Sequence, residues 1–457
     1  MPRIAYHTLG CKLNFAETST YRRALEAAGC ETAPWNASDA DVYVLNTCAV
    51  TTVAEKKSRG LIRQVHRRAP QARIVVTGCY AELRAAEIAA LEGVAAVLGA
   101  NQKNELVPTV ISLFADSVLR AEAIENRSAP SDAVRCAQSL QTAWFSQASA
   151  TPNFASSEIP SFRGSSVESM LPAYSSGDRT RSFLKVQDGC NNFCAYCTVP
   201  YARGRSRNLP ICEIVRQARE IAATGTLEIV LTGVNTGDFG RSTGESFLDL
   251  LKALQAVEGI ARYRISSIEP NLLTEEIIDW IATEGTKFLP HFHIPLQSGS
   301  DAVLKNVGRR YTTELFASRI DYIRKKMGPK VFFGIDVIAG LPGETEEEFE
   351  RSYGFLRDRI HPAFLHVFPF SPRPGTRAWT MGGQVQESVR TARAARLEAL
   401  CEELHTEFVA SCKGTRETVL WESARKGGMM EGYTGNYIRL ERPYDPALAG
   451  TLQEVVL

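Results

Sequence analysis

The chain has 457 residues, with 52 basic against 51 acidic side chains for a net charge of +1, and 44% of its residues are hydrophobic. That length allows about three domains of ~150 residues, and the near-neutral balance excludes a polycation that holds nucleic acid by global charge. The N-terminal residues carry no signal-peptide pattern and no stretch reaches ~18 consecutive apolar residues, so neither secretion nor a membrane span is expected and a cytoplasmic location is the default.

Residues 1–113 alternate strand and helix signals. Strands are predicted at Ile4–Thr8, Val42–Asn46, Arg73–Thr77 and Ala95–Leu98, with helices at Ala16–Ala28 and Val53–His66 between them. This is the pattern of a parallel sheet covered by helices. Cys11, Cys48 and Cys79 each follow directly on a predicted strand. Strand carboxyl ends share one edge of a parallel sheet, so these three thiols can converge although they are far apart in sequence. Gly10 and Gly78 precede two of them, which suits tight turns. Three buried cysteines acting as small hydrophobes is the plain alternative, and it leaves their common position unexplained.

Residues 114–178 change character. Ala, Ser and Pro dominate, and no lysine occurs between Lys103 and Lys185. A helix can continue through Leu119–Ile124, and the rest reads as a linker or insertion. Cys136 within it is taken as a bystander.

From 179 to 400 six further strands are predicted: Phe183–Gln187, Glu228–Thr232, Arg262–Ser267, His291–Leu296, Phe332–Ile338 and Phe364–Phe370. Six βα units are too few for a closed eight-stranded barrel, and a partial (β/α)6 barrel fits. The loop after its first strand reads Gly189-Cys190-Asn191-Asn192-Phe193-Cys194-Ala195-Tyr196-Cys197. Three thiolates so close together can hold three irons of a [4Fe–4S] cube and leave the fourth iron open. A structural zinc site would need a fourth ligand, and no histidine lies nearby. An odd total of 11 cysteines without a secretion signal argues against a disulfide framework. Cys30, Cys212, Cys401 and Cys412 are read as structural. His291, His293 and His366 lie on barrel strands and read as core residues rather than iron ligands.

A helix over Val389–Ala410 leads to a tail, 401–457, with strands predicted at Glu417–Glu422, Gly435–Glu441 and Thr451–Leu457. Short strands separated by Gly and Pro suggest a small β-barrel of the kind that binds oligonucleotides. Tyr433 and Tyr437 are candidate stacking platforms. Basic groups that could meet phosphate are Lys56, Lys57, Arg59, Arg63, Arg67 and Arg68; Arg203, Arg205 and Arg207; Arg309 and Arg310; Arg373 and Arg377. A solvated face is the alternative for each group.

C-x3-C-x2-C after the first strand of a partial barrel resembles the radical S-adenosylmethionine superfamily. That resemblance implies that Cys190, Cys194 and Cys197 hold a cluster that cleaves the cosubstrate to a 5′-deoxyadenosyl radical. It also implies cosubstrate contacts near the strand ends, with Gly233, Asn235, Glu269, Gln297, Asp336 and Arg205 as candidates. The three-part chain resembles the methylthiotransferases, in which Cys11, Cys48 and Cys79 would hold an auxiliary [4Fe–4S] cluster carrying the sulfur to be inserted. Thr8-Leu9-Gly10-Cys11-Lys12-Leu13-Asn14 and Asp188-Gly189-Cys190-Asn191-Asn192-Phe193-Cys194 look like the subgroup that methylthiolates C2 of N6-threonylcarbamoyladenosine at position 37 of tRNA. The tail resembles the TRAM RNA-binding barrel. The implied partners are a tRNA anticodon loop and a flavodoxin- or ferredoxin-like electron donor, with the chain acting as a monomer and no membrane involved. Isopentenyladenosine in tRNA and a ribosomal protein aspartate are the alternative substrates, and an iron–sulfur RNA-binding protein without catalysis is the alternative class.

Overall fold

The computed structural model describes residues 1–114 and 170–457, with backbone alone for 424–426. Most of the predicted linker, including Leu119–Ile124 and Cys136, lies outside the described residues. The chain forms two compact units. One is the described chain up to Ala173 together with Thr198–Gly204, and the other is Tyr174–Cys197 with Arg205–Leu457.

The first unit is a parallel sheet of β1 (Arg3–Thr8), β2 (Glu31–Ala33), β3 (Val42–Thr47), β4 (Arg73–Gly78) and β5 (Val94–Leu98), in the order β2-β1-β3-β4-β5. The four expected strands are present. Edge strand β2 was not expected, because three residues are too few to carry an alternating signal. Every residue of β3 is buried, as befits a central strand covered on both faces. Successive side chains point to opposite faces: Val42 and Val44 join Tyr21 and Leu25 of α1 (Lys12–Ala27), while Tyr43 and Leu45 join Ile62 and Val65 of α2 (Thr52–Arg68). The Thr51 hydroxyl starts α2 by accepting from the Ala54 amide at 3.2 Å. The chain runs from β1 to β2 on one side and then to β3 on the other. The gap between the ends of β1 and β3 is therefore the topological switch point, where open α/β sheets place their ligands.

In the second unit β6 (Ser182–Lys185) is followed by a short antiparallel pair, β7 (Gln187–Asp188) and β8 (Arg207–Asn208). Then come β9 (Glu228–Thr232), β10 (Arg262–Ile265), β11 (His291–Gln297), β12 (Phe332–Ala339) and β13 (Phe364–Pro369). The parallel sheets β10-β9-β6 and β11-β12-β13 are linked by a bridge between Tyr263 and Phe288. All six barrel strands fall within two residues of their expected bounds, and the partial (β/α)6 barrel stands. A helix over Glu387–Ser411 packs on β13, where the Cys401 thiol accepts from the Leu365 amide at 3.2 Å.

The tail is an antiparallel sheet, β16-β15-β14-β17, made of β14 (Arg416–Lys426), β15 (Met429–Tyr433), β16 (Arg439–Pro443) and β17 (Leu452–Val456). The strand expected at Gly435–Glu441 begins instead as a turn, closed by the Thr434 amide on the Ile438 carbonyl and with Tyr437 at φ 64°. Buried charges fasten this sheet to the barrel. Glu228 accepts from Arg262 Nε at 2.5 Å and Arg264 Nε at 3.2 Å, and the two guanidinium groups donate onward to the carbonyls of Thr418, Tyr433 and Gly435 at 3.1, 3.0 and 3.1 Å. Burial by itself would raise the Glu228 pKa, but Arg264, Arg262 and Arg181 outweigh it and hold the group below the usual range. A depressed carboxylate stabilises the fold above its unfolded pKa of ~4.3 and loses that contribution as pH falls through the folded value. Glu228→Gln is therefore expected to cost about 3–5 kcal/mol at neutral pH. Its urea midpoint should also depend less on pH below ~4 than that of the wild type.

Candidate metal centres

The first unit brings Cys11, Cys48 and Cys79 together at the carboxyl ends of β1, β3 and β4. Cys11 is the residue before α1, and Cys79 opens the short helix α3 (Cys79–Leu83). Gly10 has φ 107°, and a Cβ there would stand 2.9 Å from the Cys48 Cβ. At Gly78, φ 98°, a Cβ would strike the Thr47 carbonyl oxygen at 2.4 Å. Both loops thus require glycine for conformation and for space. Burial first, then the neighbouring Cys79 and Cys11 sulfurs, push the Cys48 thiol up to about 12. Burial also raises Cys79, which Cys11 pushes further in the same direction.

A polar scaffold lies beneath this trio. The Asn14 amide donates to the carbonyls of Leu9 and Thr47 at 2.9 and 3.0 Å, tying the first cysteine loop to the second. The Thr47 hydroxyl donates to the Thr77 carbonyl at 2.6 Å and accepts from the Ala81 amide, tying in the third. Arg203 donates to Asn14 Oδ1 and to Glu17, and Lys103 reaches Glu17 at 2.7 Å. Glu17, Lys103 and Arg203 are all buried. Arg203 and Lys103 act to lower Cys79 against its burial. Three sulfur donors beside two buried cations fit a thiolate-bound iron cluster, because thiolate ligands carry negative charge that nearby cations help to balance.

In the second unit Cys190 and Cys194 are buried and Cys197 is half-buried. The loop turns through Gly189 at φ 73° and Phe193 at φ 48°. Burial raises the Cys190 thiol to about 12, against a lowering contribution from the Asn192 amide, which donates to its sulfur at 3.4 Å. Arg309 donates to the Cys194 sulfur at 3.3 Å and pairs with Glu269 at 2.7 Å, and Asn192 bonds both oxygens of Glu269 at 2.8 Å. This again is a sulfur trio with a buried cation beside it, a set suited to a cluster.

Gln187, which sequence reasoning overlooked, joins the loop to the barrel. It donates to the Gly189 carbonyl and Ser206 hydroxyl at 2.8 and 2.9 Å and accepts from the Val234 and Asn235 amides at 2.9 and 3.0 Å. Gly233 packs against the same side chain. Asn235 Oδ1 accepts from the Glu269 amide at 3.2 Å, whereas Asn235 Nδ2 and the Ser266 hydroxyl are buried with no partner among the described residues. Unpaired buried polar atoms call for a ligand, and these two lie at the carboxyl ends of β9 and β10. Gln297 is buried at φ 74° at the end of β11. Asp336 is paired with His293 at 2.6 Å within the barrel strands. Arg205 is exposed.

The expected phosphate-binding groups divide. Lys56, Lys57, Arg63 and Arg67 on α2 are exposed, as are Arg205, Arg310 and Arg377. Arg203, Arg207 and Arg373 are buried, and Arg309 serves Cys194 and Glu269, so none of these four is a surface cation. Tyr437 is covered by Arg264 and Arg181 at 4.6 and 5.6 Å and by the His291 ring at 4.9 Å, and Arg181 also lies 4.7 Å over Tyr433. Both rings are half-buried, each with a guanidinium on it. Among the described residues no helix is long and apolar enough to cross a membrane.

The Radical SAM superfamily model matches residues 184–356, and that of Uncharacterized protein family UPF0004 matches residues 3–99. Threonylcarbamoyladenosine tRNA methylthiotransferase MtaB of Bacillus subtilis (strain 168) is 37% identical over 446 residues, covering 96% of this chain and 90% of its own. The MtaB of Aquifex aeolicus (strain VF5) is 34% identical, covering 96% of each chain. The tRNA-2-methylthio-N(6)-dimethylallyladenosine synthase of Desulfotalea psychrophila (strain LSv54 / DSM 12343) is 30% identical, covering 94% of this chain and 90% of its own. Among solved structures, the radical S-adenosylmethionine methyltransferase TsrM from Kitasatospora setae, with cobalamin and [4Fe-4S] cluster bound, superposes with a TM-score of 0.51 at 14% identity, covering 94% of this chain and 77% of its own. That likeness concerns the fold alone.

Proposed function

Because the chain belongs to the radical S-adenosylmethionine tRNA methylthiotransferases, we propose that it methylthiolates C2 of N6-threonylcarbamoyladenosine at position 37 of tRNA. One observation carries the reading: three thiols from the ends of β1, β3 and β4 meet at the switch point of one unit, and the other unit holds a separate C-x3-C-x2-C trio. Two clusters and S-adenosylmethionine, when bound, supply one-electron cleavage, a hydrogen-abstracting radical, the sulfur and the methyl group.

The chain's own residues hold and orient. Cys190, Cys194 and Cys197 ligate one cluster, with Arg309 balancing its charge and Gln187 fixing its loop against the end of β9. The backbone at Gly233, the Asn235 amide and the Ser266 hydroxyl line the strand ends where the cosubstrate binds. Cys11, Cys48 and Cys79 ligate the auxiliary cluster over the Asn14–Thr47–Arg203 scaffold. The exposed cations of α2 and the tail sheet meet RNA, whose anticodon-loop bases are open to recognition because they can be splayed out. An external one-electron donor of the flavodoxin or ferredoxin kind completes the cycle.

The test is nucleoside analysis of tRNA from a strain lacking the gene, with and without the protein supplied back. The 2-methylthio derivative of N6-threonylcarbamoyladenosine should vanish on deletion and return on complementation. If the dimethylallyl derivative responds instead, the substrate is the adenosine with that N6 substituent. If neither changes, the assignment is wrong.

A further inference from the structure

Three polar side chains meet on one face of the β11-β12-β13 sheet. His293 stands opposite Gly334, and Asp336 stands opposite both Pro295 and His366. With a side-chain period of two, His293, Asp336 and His366 share a face. Their ligand-capable atoms lie within 4.8 Å of one another, with His293 Nε2 2.6 Å from Asp336 Oδ1 and the two imidazoles 4.9 Å apart.

The opposite face carries Phe292, Ile294, Phe333, Ile335, Val337 and Leu365, all buried. Phe333 there meets Arg324 of the covering helix Thr313–Met327 at 5.3 Å, so the polar trio is on the inward face of the barrel. Barrel interiors are normally filled by Val, Ile and Leu. Here His293 and Asp336 keep 21% and 18% of their side-chain surface accessible. Gly334 leaves space beside the trio, since a Cβ there would stand 3.4 Å from His366 Nε2. One pair along the strands toward their amino ends, His291 lies stacked on Phe332 at 5.0 Å and 10°, with Tyr437 against both. The result is an accessible polar cluster above an aromatic floor.

We propose that His293, Asp336 and His366 select the substrate by receiving the polar N6 substituent of the target adenosine, a carbamoyl-linked amino acid with carboxylate, hydroxyl and N–H groups. The proposal rests on the functional reading above and adds to it the residues that choose the nucleoside. Two imidazoles can donate to a carboxylate or hydroxyl, and a carboxylate can accept from a urea N–H. A dimethylallyl substituent offers none of these groups. It would desolvate the cluster without replacing its hydrogen bonds, the situation in which polar sites discriminate most strongly. Relatives with either substrate in their names cover nearly the whole chain, so overall length does not separate the two substrates.

The test uses the reconstituted full-length protein and two anticodon stem-loops that differ only in carrying threonylcarbamoyl- or dimethylallyladenosine. The wild type should bind the first at least ~10²-fold more tightly. His366→Phe keeps a ring but removes its polarity, and Asp336→Asn is nearly isosteric. Both should retain wild-type iron content, a check on folding, and each should reduce the preference to under ~10-fold. Preference that persists in both variants overturns the proposal while the functional reading stands. So does one equivalent of zinc bound by the wild type and lost in His366→Phe, because the trio would then be a metal site. A wild type that binds neither RNA selectively and makes no product from either sinks the functional reading together with this one.

Discussion

Replacing Cys11, Cys48 and Cys79 together with alanine should halve the bound iron and reduce methylthiolated product to background, while dithionite-driven release of 5′-deoxyadenosine persists. The two trios belong to separate units, and each has its own charge partner: Arg203 with Lys103 for one, Arg309 for the other. Emptying one site therefore leaves the other's ligands and surroundings intact. Each cube carries about four irons, so wild type should bind roughly eight per chain and the variant roughly four. The complementary Cys190/Cys194/Cys197 variant should also hold half the iron but release no 5′-deoxyadenosine. The discriminating measurement is therefore the pair of iron count and cosubstrate cleavage. A Cys11/Cys48/Cys79 variant that keeps full iron would show that these thiols bind no cluster, and one that still makes product would show that the sulfur comes from elsewhere.

Arg203→Met should be the change outside the cysteines that most damages the auxiliary site. The guanidinium is buried and holds Asn14, the residue that ties the Leu9 and Thr47 loops together, and it shares Glu17 with Lys103. Losing it leaves Asn14 Oδ1 with the long contact from the Cys11 thiol at 3.9 Å and removes a cation near the thiols. The expected cost is about 3 kcal/mol, at the lower end for breaking a buried pair because Lys103 still serves Glu17. Iron should be lost selectively from the auxiliary site. Arg203→Lys restores the charge without the two-pronged geometry, so it should recover part of the iron and little of the stability. Urea unfolding and iron counting on both variants check this, and equal iron in wild type and Arg203→Met would contradict it.

Much of this site was legible in the sequence because its positions are local to strand ends. Cys11, Cys48 and Cys79 could be grouped from topology alone, since a parallel sheet gathers its carboxyl ends on one edge. The cysteine loop announced itself by spacing. Asn14, Gln187 and Arg203 were not legible in their roles. Each works through partners 33 to 189 residues away, and residue type says nothing about such pairings. The basic groups misled for the same reason: Arg203, Arg207 and Arg309 look like surface cations until their buried partners are known. Strand β2 is three residues at a sheet edge. Strand β15 reads Met-Met-Glu-Gly-Tyr, whose pairing with β14 and β16, more than its own pattern, makes it a strand.

The segment Thr198–Gly204 follows Cys197 directly in sequence, yet it is built into the first unit. During synthesis the amino-terminal unit therefore cannot be finished when its own stretch leaves the ribosome; it waits for Arg203 to emerge. A fragment cut at Ala173 would leave a nascent auxiliary site without its closing cation. The cysteine loop at 190–197 has thus already left the ribosome when the amino-terminal unit closes at Gly204, while the carboxyl-terminal unit still waits for the chain to run on to Leu457.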